Sequence, residues 1–387
     1  MCTSQLSWRD MALIIVAWVG NSRLTAPTNW SVFQTLCRVL GDRDKQALSS
    51  AISNGFFPKL FEQAKLNDVL PALTVRCNKQ LPANDALETT QRERLNRALH
   101  DNTLQNMKIK AQALKLTKAL NTAGITPLFL KGTIDLLDTK NENIGFRKQV
   151  DIDLLVPPEE LEAAGDTFLR DGYGYHDFEG DQSTEPPTTR AAIKISAAHH
   201  HLPPLVKKGY DTTVELHSHF LAKQQQRNNP LEPLFRTAQV RETHDAAYLI
   251  PTTEYQLIHL VEGKFVHDGH LARRTFPLRE ACDFISLMDR VDSSTNLELV
   301  IQHCGNNFAV VHALVRELMG YTAPLAPTAD VSSFITLMQR RYNSPTVSRV
   351  LNSYARTRHL VGSLAHSPGK LSAYLGRKLT TRHTAKA

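Results

Sequence analysis

The spacing of apolar and polar positions divides the chain into parts of different character. Up to about residue 120, apolar residues recur at helical intervals, as at Leu48, Ile52 and Phe56, and this spacing is typical of an amphipathic helix. Good helix formers continue from residue 90 to 120, and Gly124 follows as a helix-ending signal. Residues 1–120 are therefore predicted to form a helical N-terminal region.

The pattern changes to short strands over residues 121–222. Apolar or alternating runs rich in β-branched residues predict strands; they cover residues 125–130, 150–156, 199–206 and 212–220. An amphipathic stretch over 159–170 predicts a helix between them. Strands and helices in this order predict an α+β unit, a mixed sheet with helices.

Helical spacing returns over 254–267 and 278–288, so residues 223–330 are predicted to form a second helical region. The last segment, 331–387, reads differently because arginines interrupt its apolar positions over 347–364. Two interpretations stay open for it: a solvated basic tail, or a tail that is partly helical.

Charge is distributed very unevenly along the 387 residues. The chain has 45 Lys+Arg against 38 Asp+Glu and a net charge of +7, but residues 331–387 contain ten bases and no acid. The rest is slightly acidic, which argues against a globally cationic nucleic-acid binder. An anionic partner, if the protein has one, is expected at the basic tail: an RNA, a lipid surface or an acidic protein.

Cysteine usage and hydropathy suggest a compartment. The five cysteines form no CxxC pair, and an odd number without close pairs suits a reducing environment. The longest apolar run, residues 11–20, has about half of the ~20 residues that a transmembrane helix needs. We therefore expect no transmembrane segment and a cytoplasmic location.

The sharpest chemical signal is Asp151-Ile152-Asp153 inside an apolar strand. Side chains alternate along a strand, so both carboxylates lie on one face, roughly 6.5–7 Å apart. Such a pair suits either a solvated edge or a hard cation such as Mg²⁺, and the apolar neighbours favour the cation. Glu215, in the alternating run 213–217, supplies a third carboxylate, and three carboxylates can hold two Mg²⁺ ions.

A turn before these strands has features of a phosphate site. Lys131, Gly132 and Thr133 follow the predicted strand 125–130 and offer an ammonium, close backbone approach and a hydroxyl. Neither GxxxxGK[ST] nor GxGxxG occurs in the chain, so a P-loop ATPase and a Rossmann protein have no support.

These residues together resemble a known family. The series Leu130-Lys131-Gly132, Arg147, 151–156, Gly172-Tyr173, 199–205 and 214–217 is similar in order and spacing to the uncharacterised nucleotidyltransferases, a family of the polymerase-β-like superfamily. The resemblance covers roughly residues 45–310. It departs at the turn, where Gly-Thr after a lysine stands in place of the usual Gly-Ser.

The resemblance implies a palm-type core that moves a nucleoside monophosphate from an NTP to a hydroxyl acceptor, with Mg²⁺ or Mn²⁺. Asp151, Asp153 and Glu215 would be the catalytic metal ligands. Lys131, Gly132, Thr133 and Arg147 would face the triphosphate. The acceptor is left open.

Two other functions stay open. One is a non-catalytic palm that binds a nucleotide or a partner. The histidines His176, His199, His200, His201, His217 and His219 allow a transition-metal hydrolase, because imidazole favours Zn or Fe over Mg²⁺. His217 and His219 form an HxH pair on one strand face, but no HExxH motif is present.

Overall fold

The computed structural model describes residues 29–81, 87–137, 144–176, 188–195, 200–222, 231–243, 245–322 and 329–366. The apolar run 11–20 and His199 lie outside these ranges, as do the last five basic residues of the tail. Within the described ranges the chain forms sixteen α-helices and a seven-stranded sheet.

Helices alone make up the N-terminal part of the described chain. They are α1 Asn29–Gly41, α2 Lys45–Ser53, α3 Phe57–Leu66, α4 Leu70–Gln80 and the long α5 Thr89–Thr122. The predicted helix over 90–120 is confirmed in α5. The apolar spacing of residues 47–60 is shared between α2 and α3, because the chain turns at Asn54 and Gly55.

Strands and helices alternate in the middle of the chain. The strands are β1 Leu128–Phe129, β2 Asp151–Leu155, β3 Gly174–Tyr175, β4 Leu205–Val206 and β5 Thr213–His217. The helices are α6 Gly132–Leu137, a 3₁₀ turn Pro158–Glu160, α7 Leu161–Arg170 and α8 Thr189–Ile195.

Two further strands follow a helix and precede the C-terminal helices. They are β6 Gln239–Thr243 and β7 Ala246–Ile250, after α9 Leu231–Thr237. Next come α10 Thr253–Ile258, a π-helix His259–His267, α11 His270–Arg273, α12 Leu278–Met288, α13 Leu297–Cys304 and α14 Asn306–Met319. The last two helices are α15 Ser332–Asn343 and α16 Pro345–His366.

The sheet has the order β3-β4-β5-β2-β1-β7-β6 and is mixed. β2 pairs with β5 in parallel, and β1 pairs with β7 in parallel, whereas the other neighbours are antiparallel. The prediction of a mixed sheet with flanking helices is confirmed. β2 lies at the centre with a strand on each side, which explains why four of its five residues are buried.

Two hydrophobic clusters hold the described chain together. One lies against the sheet and includes Ile152, Leu154, Val214 and Phe168. The other joins helices from both ends of the sequence, since Phe33 of α1, Phe284 of α12 and Met338 of α15 all belong to it. The helices before the sheet and the helices after it therefore share one core.

Two helices lie in the described part of the basic C-terminal segment. Residues 332–343 and 345–366 form α15 and α16, and Phe334 and Met338 are buried. Arg341 donates hydrogen bonds to the carbonyl oxygen of Arg273 and to Asn352, so one of the ten bases has a structural role. No helix in the ranges that the structure describes is both long and apolar enough to span a bilayer.

Candidate active site

The three predicted carboxylates come from two neighbouring parallel strands. In the register of β2 and β5, Asp153 pairs with Glu215 and Asp151 pairs with Thr213. Alternation then places Asp151, Asp153, Glu215 and His217 on one face of the sheet. The ligand atoms of Asp153, Glu215 and His217 all lie within 4.8 Å of one another, a grouping that can hold a metal ion.

Lys131 points into this cluster. Its Nζ donates a short hydrogen bond to Asp153 Oδ1 and lies 3.5 Å from Glu215 Oε2. The Lys131 side chain is only 13% exposed. Its backbone is left-handed, with φ 54°, a conformation that costs a residue other than glycine roughly 1–2 kcal/mol. The backbone of the turn after β1 is therefore strained at Lys131, the residue whose ammonium contacts the carboxylates.

Burial and neighbouring charges set the ionisation of the cluster. Burial alone would raise the pKa of Asp153, but Lys131 and the hydrogen bond from His217 outweigh it and hold the pKa well below its usual range. Burial also opposes ionisation of Glu215, and His217 with Lys131 again lowers the pKa. Burial and the adjacent Asp153 raise the pKa of Asp151. Asp153 and Glu215 are thus ionised acceptors near neutral pH.

His217 connects the two carboxylates. Its Nε2 lies 3.0 Å from Asp153 Oδ1 and 3.5 Å from Glu215 Oε2, and its side chain is fully buried. Two polar atoms beside these contacts, Asp153 Oδ2 and His217 Nδ1, are buried and hydrogen-bond to nothing in the described chain. The cluster therefore has donor atoms that the protein itself does not satisfy.

Three more histidines lie close to His217 or to one another. Ring centroids of His200 and His201 lie 5.2 and 5.4 Å from that of His217, and His267 lies 5.5 Å from His200. Burial lowers the pKa of His200, His201 and His259, and the nearby Lys131 contributes to the lowering. These imidazoles are neutral near pH 7, so their ring nitrogens can accept hydrogen bonds or bind a metal.

The turn residues after Lys131 make internal contacts. Thr133 is fully buried, and its hydroxyl accepts a hydrogen bond from the backbone N–H of Asp153 at 3.4 Å. Gly132 packs so closely that an added Cβ would overlap the Arg147 guanidinium and the amide oxygen of Gln149. Gln149 in turn donates to the carbonyl oxygen of Asp151 at 2.7 Å. Gly132 and Thr133 thus hold the turn against β2.

Arg147 lies beside the carboxylates without contacting them. Its Nε donates to both carboxylate oxygens of Asp283, at 2.9 and 3.0 Å, and its Nη1 donates to Gln149. The Arg147 and Asp283 side chains are 13% and 17% exposed. This ion pair joins the segment before β2 to helix α12.

A cleft opens from Lys131 between the sheet and the C-terminal helices. Its walls include Arg147, Phe220, His259 and Lys264. A smaller pocket continues from Lys131, His259 and Lys264 to His200 and His267. The π-helix carries His259, Lys264 and His267, and widened helical turns of this kind are frequent at functional sites.

A family model described as uncharacterised nucleotidyltransferase matches residues 57–306, which is more than half of the chain. The chain belongs to the uncharacterised nucleotidyltransferase family. The match contains all the carboxylates of the cluster, together with Lys131, Arg147 and Asp283. No curated protein matches the chain.

For this nucleotidyltransferase family member, the structure brings most of the predicted site residues together. Asp153 and Glu215 lie side by side on neighbouring strands with Lys131 between them, and Asp151 precedes Asp153 on β2. Gly132 and Thr133 come directly after Lys131 in the chain. Arg147 is held apart by Asp283.

Some site residues have only a weak signal in the sequence. His217 is visible as the residue two positions after Glu215, on the same strand face. His259 and Lys264 lie on a helix that is about 110 residues beyond β2 and has ordinary amphipathic spacing, so local pattern does not distinguish them. His176 and His219 are not among the ligand atoms grouped with Asp153.

Proposed function

We propose that the protein is a metal-dependent nucleotidyltransferase that moves a nucleoside monophosphate from an NTP to a hydroxyl acceptor. The observation that carries this proposal is the side-by-side placement of Asp153 and Glu215 on parallel strands in a chain of this family. In the reaction the acceptor oxygen bonds to the α-phosphorus. The bond from that phosphorus to the bridging oxygen breaks, and pyrophosphate leaves.

The residues of the cluster fit a divalent cation. Ionised carboxylate oxygens are the donors that Mg²⁺ and Mn²⁺ prefer, and the buried Asp153 Oδ2 lacks a hydrogen-bond partner in the described chain. Asp151, Asp153 and Glu215 would hold the metal. When bound, it would neutralise charge on the phosphates and on the departing pyrophosphate.

The chain's own residues supply the remaining functions. The Glu215 side chain is 20% exposed, and we assign to its carboxylate the proton of the acceptor hydroxyl. Gly132, Thr133 and Arg147 lie on the side of the carboxylates where we place the triphosphate. Phosphoryl-type transfer depends mainly on positioning and charge neutralisation, which is what a buried, preorganised cluster provides.

A second candidate is a transition-metal hydrolase. The observation that favours it is the position of His217, whose Nε2 lies among the carboxylate oxygens, next to the neutral imidazoles of His200 and His201. A mixed nitrogen and oxygen donor set suits Zn²⁺ or Fe²⁺. This candidate uses the same cluster, so the same variants test it.

The test is incubation of the full-length protein with each α-phosphate-labelled NTP and Mg²⁺ or Mn²⁺, with RNA, protein and small-molecule acceptor fractions. We expect pyrophosphate release and label transfer in wild type. Asp153→Asn should reduce both by at least about a hundredfold, because it removes a charge that the reaction needs. The expected cytoplasmic location is tested separately by fractionation of cells.

The matched control is Asp166→Asn, the same substitution at an exposed position of α7, which should retain full activity. Nucleotide binding without pyrophosphate release in wild type would favour a non-catalytic palm. Hydrolysis of a phosphodiester that requires Zn²⁺, without pyrophosphate release from any NTP, would contradict the transferase proposal.

A further inference from the structure

The carboxylate cluster contains its own cation. Lys131 Nζ lies between Asp153 Oδ1 and Glu215 Oε2 and contacts both carboxylates. The Asp153 side chain is fully buried and the Lys131 side chain nearly so. The ammonium therefore occupies space between two carboxylates that a bridging metal ion would otherwise need.

The charges of the cluster agree with this arrangement. Asp151, Asp153 and Glu215 supply three negative charges when ionised, and Lys131 supplies one positive charge. Before a nucleotide binds, one divalent cation balances the remaining charge, whereas a second one would leave the buried cluster with an excess positive charge. Uncompensated charge in a buried site is costly, so in the protein without nucleotide charge balance disfavours a second cation while Lys131 stays in place.

The backbone holds Lys131 in this position. Leu130 N–H donates to the carbonyl oxygen of Asp153 at 3.0 Å, which ties the turn to β2. Lys131 itself adopts the left-handed φ of 54°. Strain of this kind persists only where the surrounding structure determines it, and here it directs the side chain back onto the carboxylates.

We propose that the Lys131 ammonium takes the place of one of two divalent cations, so that the centre binds a single Mg²⁺ or Mn²⁺. This inference rests on the proposed nucleotidyl transfer. It gives Lys131 a different role from the triphosphate contact that the family resemblance implies. Asp153 Oδ2, which is buried and not hydrogen-bonded within the described chain, is left for the single cation.

The test counts Mn²⁺ ions bound to the full-length protein, first without nucleotide and then in the presence of a non-hydrolysable NTP analogue. Equilibrium dialysis gives the number of ions per chain, and electron paramagnetic resonance reports whether two ions are coupled. We expect one Mn²⁺ in wild type and in Lys131→Arg, which keeps the charge. Lys131→Met keeps the length and removes the charge, and it should bind two Mn²⁺ or bind the first at least about tenfold more tightly.

Lys118→Met is the matched control, because Lys118 is a largely exposed lysine paired with Asp245, and it should behave as wild type. Two ions in wild type would overturn the inference even if Lys131→Met did not fold. One ion of unchanged affinity in Lys131→Met, with weakened NTP binding, would also overturn it and assign Lys131 to the triphosphate.

The ion count tests the role of Lys131, and pyrophosphate release tests the proposed function, so either can be rejected without the other. Pyrophosphate release by a protein with two bound ions would retain the transferase and reject the role of Lys131. A single bound ion without pyrophosphate release would retain the role of Lys131 and reject the transferase. No bound ion in wild type would overturn the inference.

Discussion

Gly132 is required by close packing and not by backbone conformation. Its φ is not in the left-handed region, in contrast to Lys131 before it. The space where a Cβ would lie is taken by the Arg147 guanidinium and the Gln149 amide. Because Gln149 also donates to the backbone of Asp151, a side chain at position 132 would disturb the strand that carries the carboxylates.

Gly132→Ala should therefore lower the free energy of unfolding by about 1–3 kcal/mol, the usual cost of overpacking a buried site. Urea denaturation measures this directly. Gly174→Ala is the control, because no atom of the residues that the structure describes lies within 4 Å of the place where its Cβ would be, and its φ is not positive; it should change stability little. Equal stability of wild type and Gly132→Ala would show that Arg147 and Gln149 move aside at little cost.

At the scale of elements, two adjacent residues of one segment make ion pairs of different kinds. Arg147 pairs with Asp283 of α12, and both side chains are largely buried. Lys148 pairs with Asp68 at 2.6 Å, but those side chains are 43% and 47% exposed. Loss of one partner of a buried ion pair is strongly destabilising, whereas an exposed ion pair contributes little to stability.

Asp283→Asn should destabilise the protein by about 3–5 kcal/mol, because it removes the charge of the carboxylate to which a buried guanidinium donates its hydrogen bonds. Asp68→Asn, the same substitution on the exposed pair, should cost less than about 1 kcal/mol. Chemical denaturation of both variants checks the difference. Similar losses for the two variants would contradict the structural role of the Arg147–Asp283 pair.

At the scale of the whole molecule, α15 completes a core that begins at α1. The Tyr342 ring lies 4.5 Å from that of Phe33 between centroids, and Met338 is fully buried. The C-terminal segment is rich in bases, yet its first helix covers apolar residues near the other end of the described chain. This helix is part of the body that supports the site.

Met338→Ala should lower the free energy of unfolding by about 2–5 kcal/mol, the usual cost of removing a large buried side chain. Gln339→Ala, at the next and exposed position of α15, should have little effect. Calorimetry of both variants makes the comparison. A stable Met338→Ala variant would mean that α15 does not contribute to the shared core.

Local features of this protein were predictable from its sequence. Residue spacing predicts α5, α12 and β2 because a helix or a strand repeats over a few residues, whatever lies elsewhere in the chain. The same alternation puts Asp151 and Asp153 on one face of a strand. Glu215 was found by the same pattern, and the family follows from the order of these motifs.

The contacts that make a site of these residues were decided only by the tertiary structure. The parallel pairing of β2 with β5, the Lys131 ammonium between two carboxylates and the Arg147–Asp283 pair join residues 22 to 136 positions apart. The shared core of α1 and α15 spans still more of the chain. Such contacts depend on how whole elements pack against each other, and the spacing of apolar residues within one element does not determine that packing. The sequence by itself therefore determined that carboxylates and the Lys131 ammonium belong to the site, and the tertiary structure decided that the ammonium lies between two of the carboxylates.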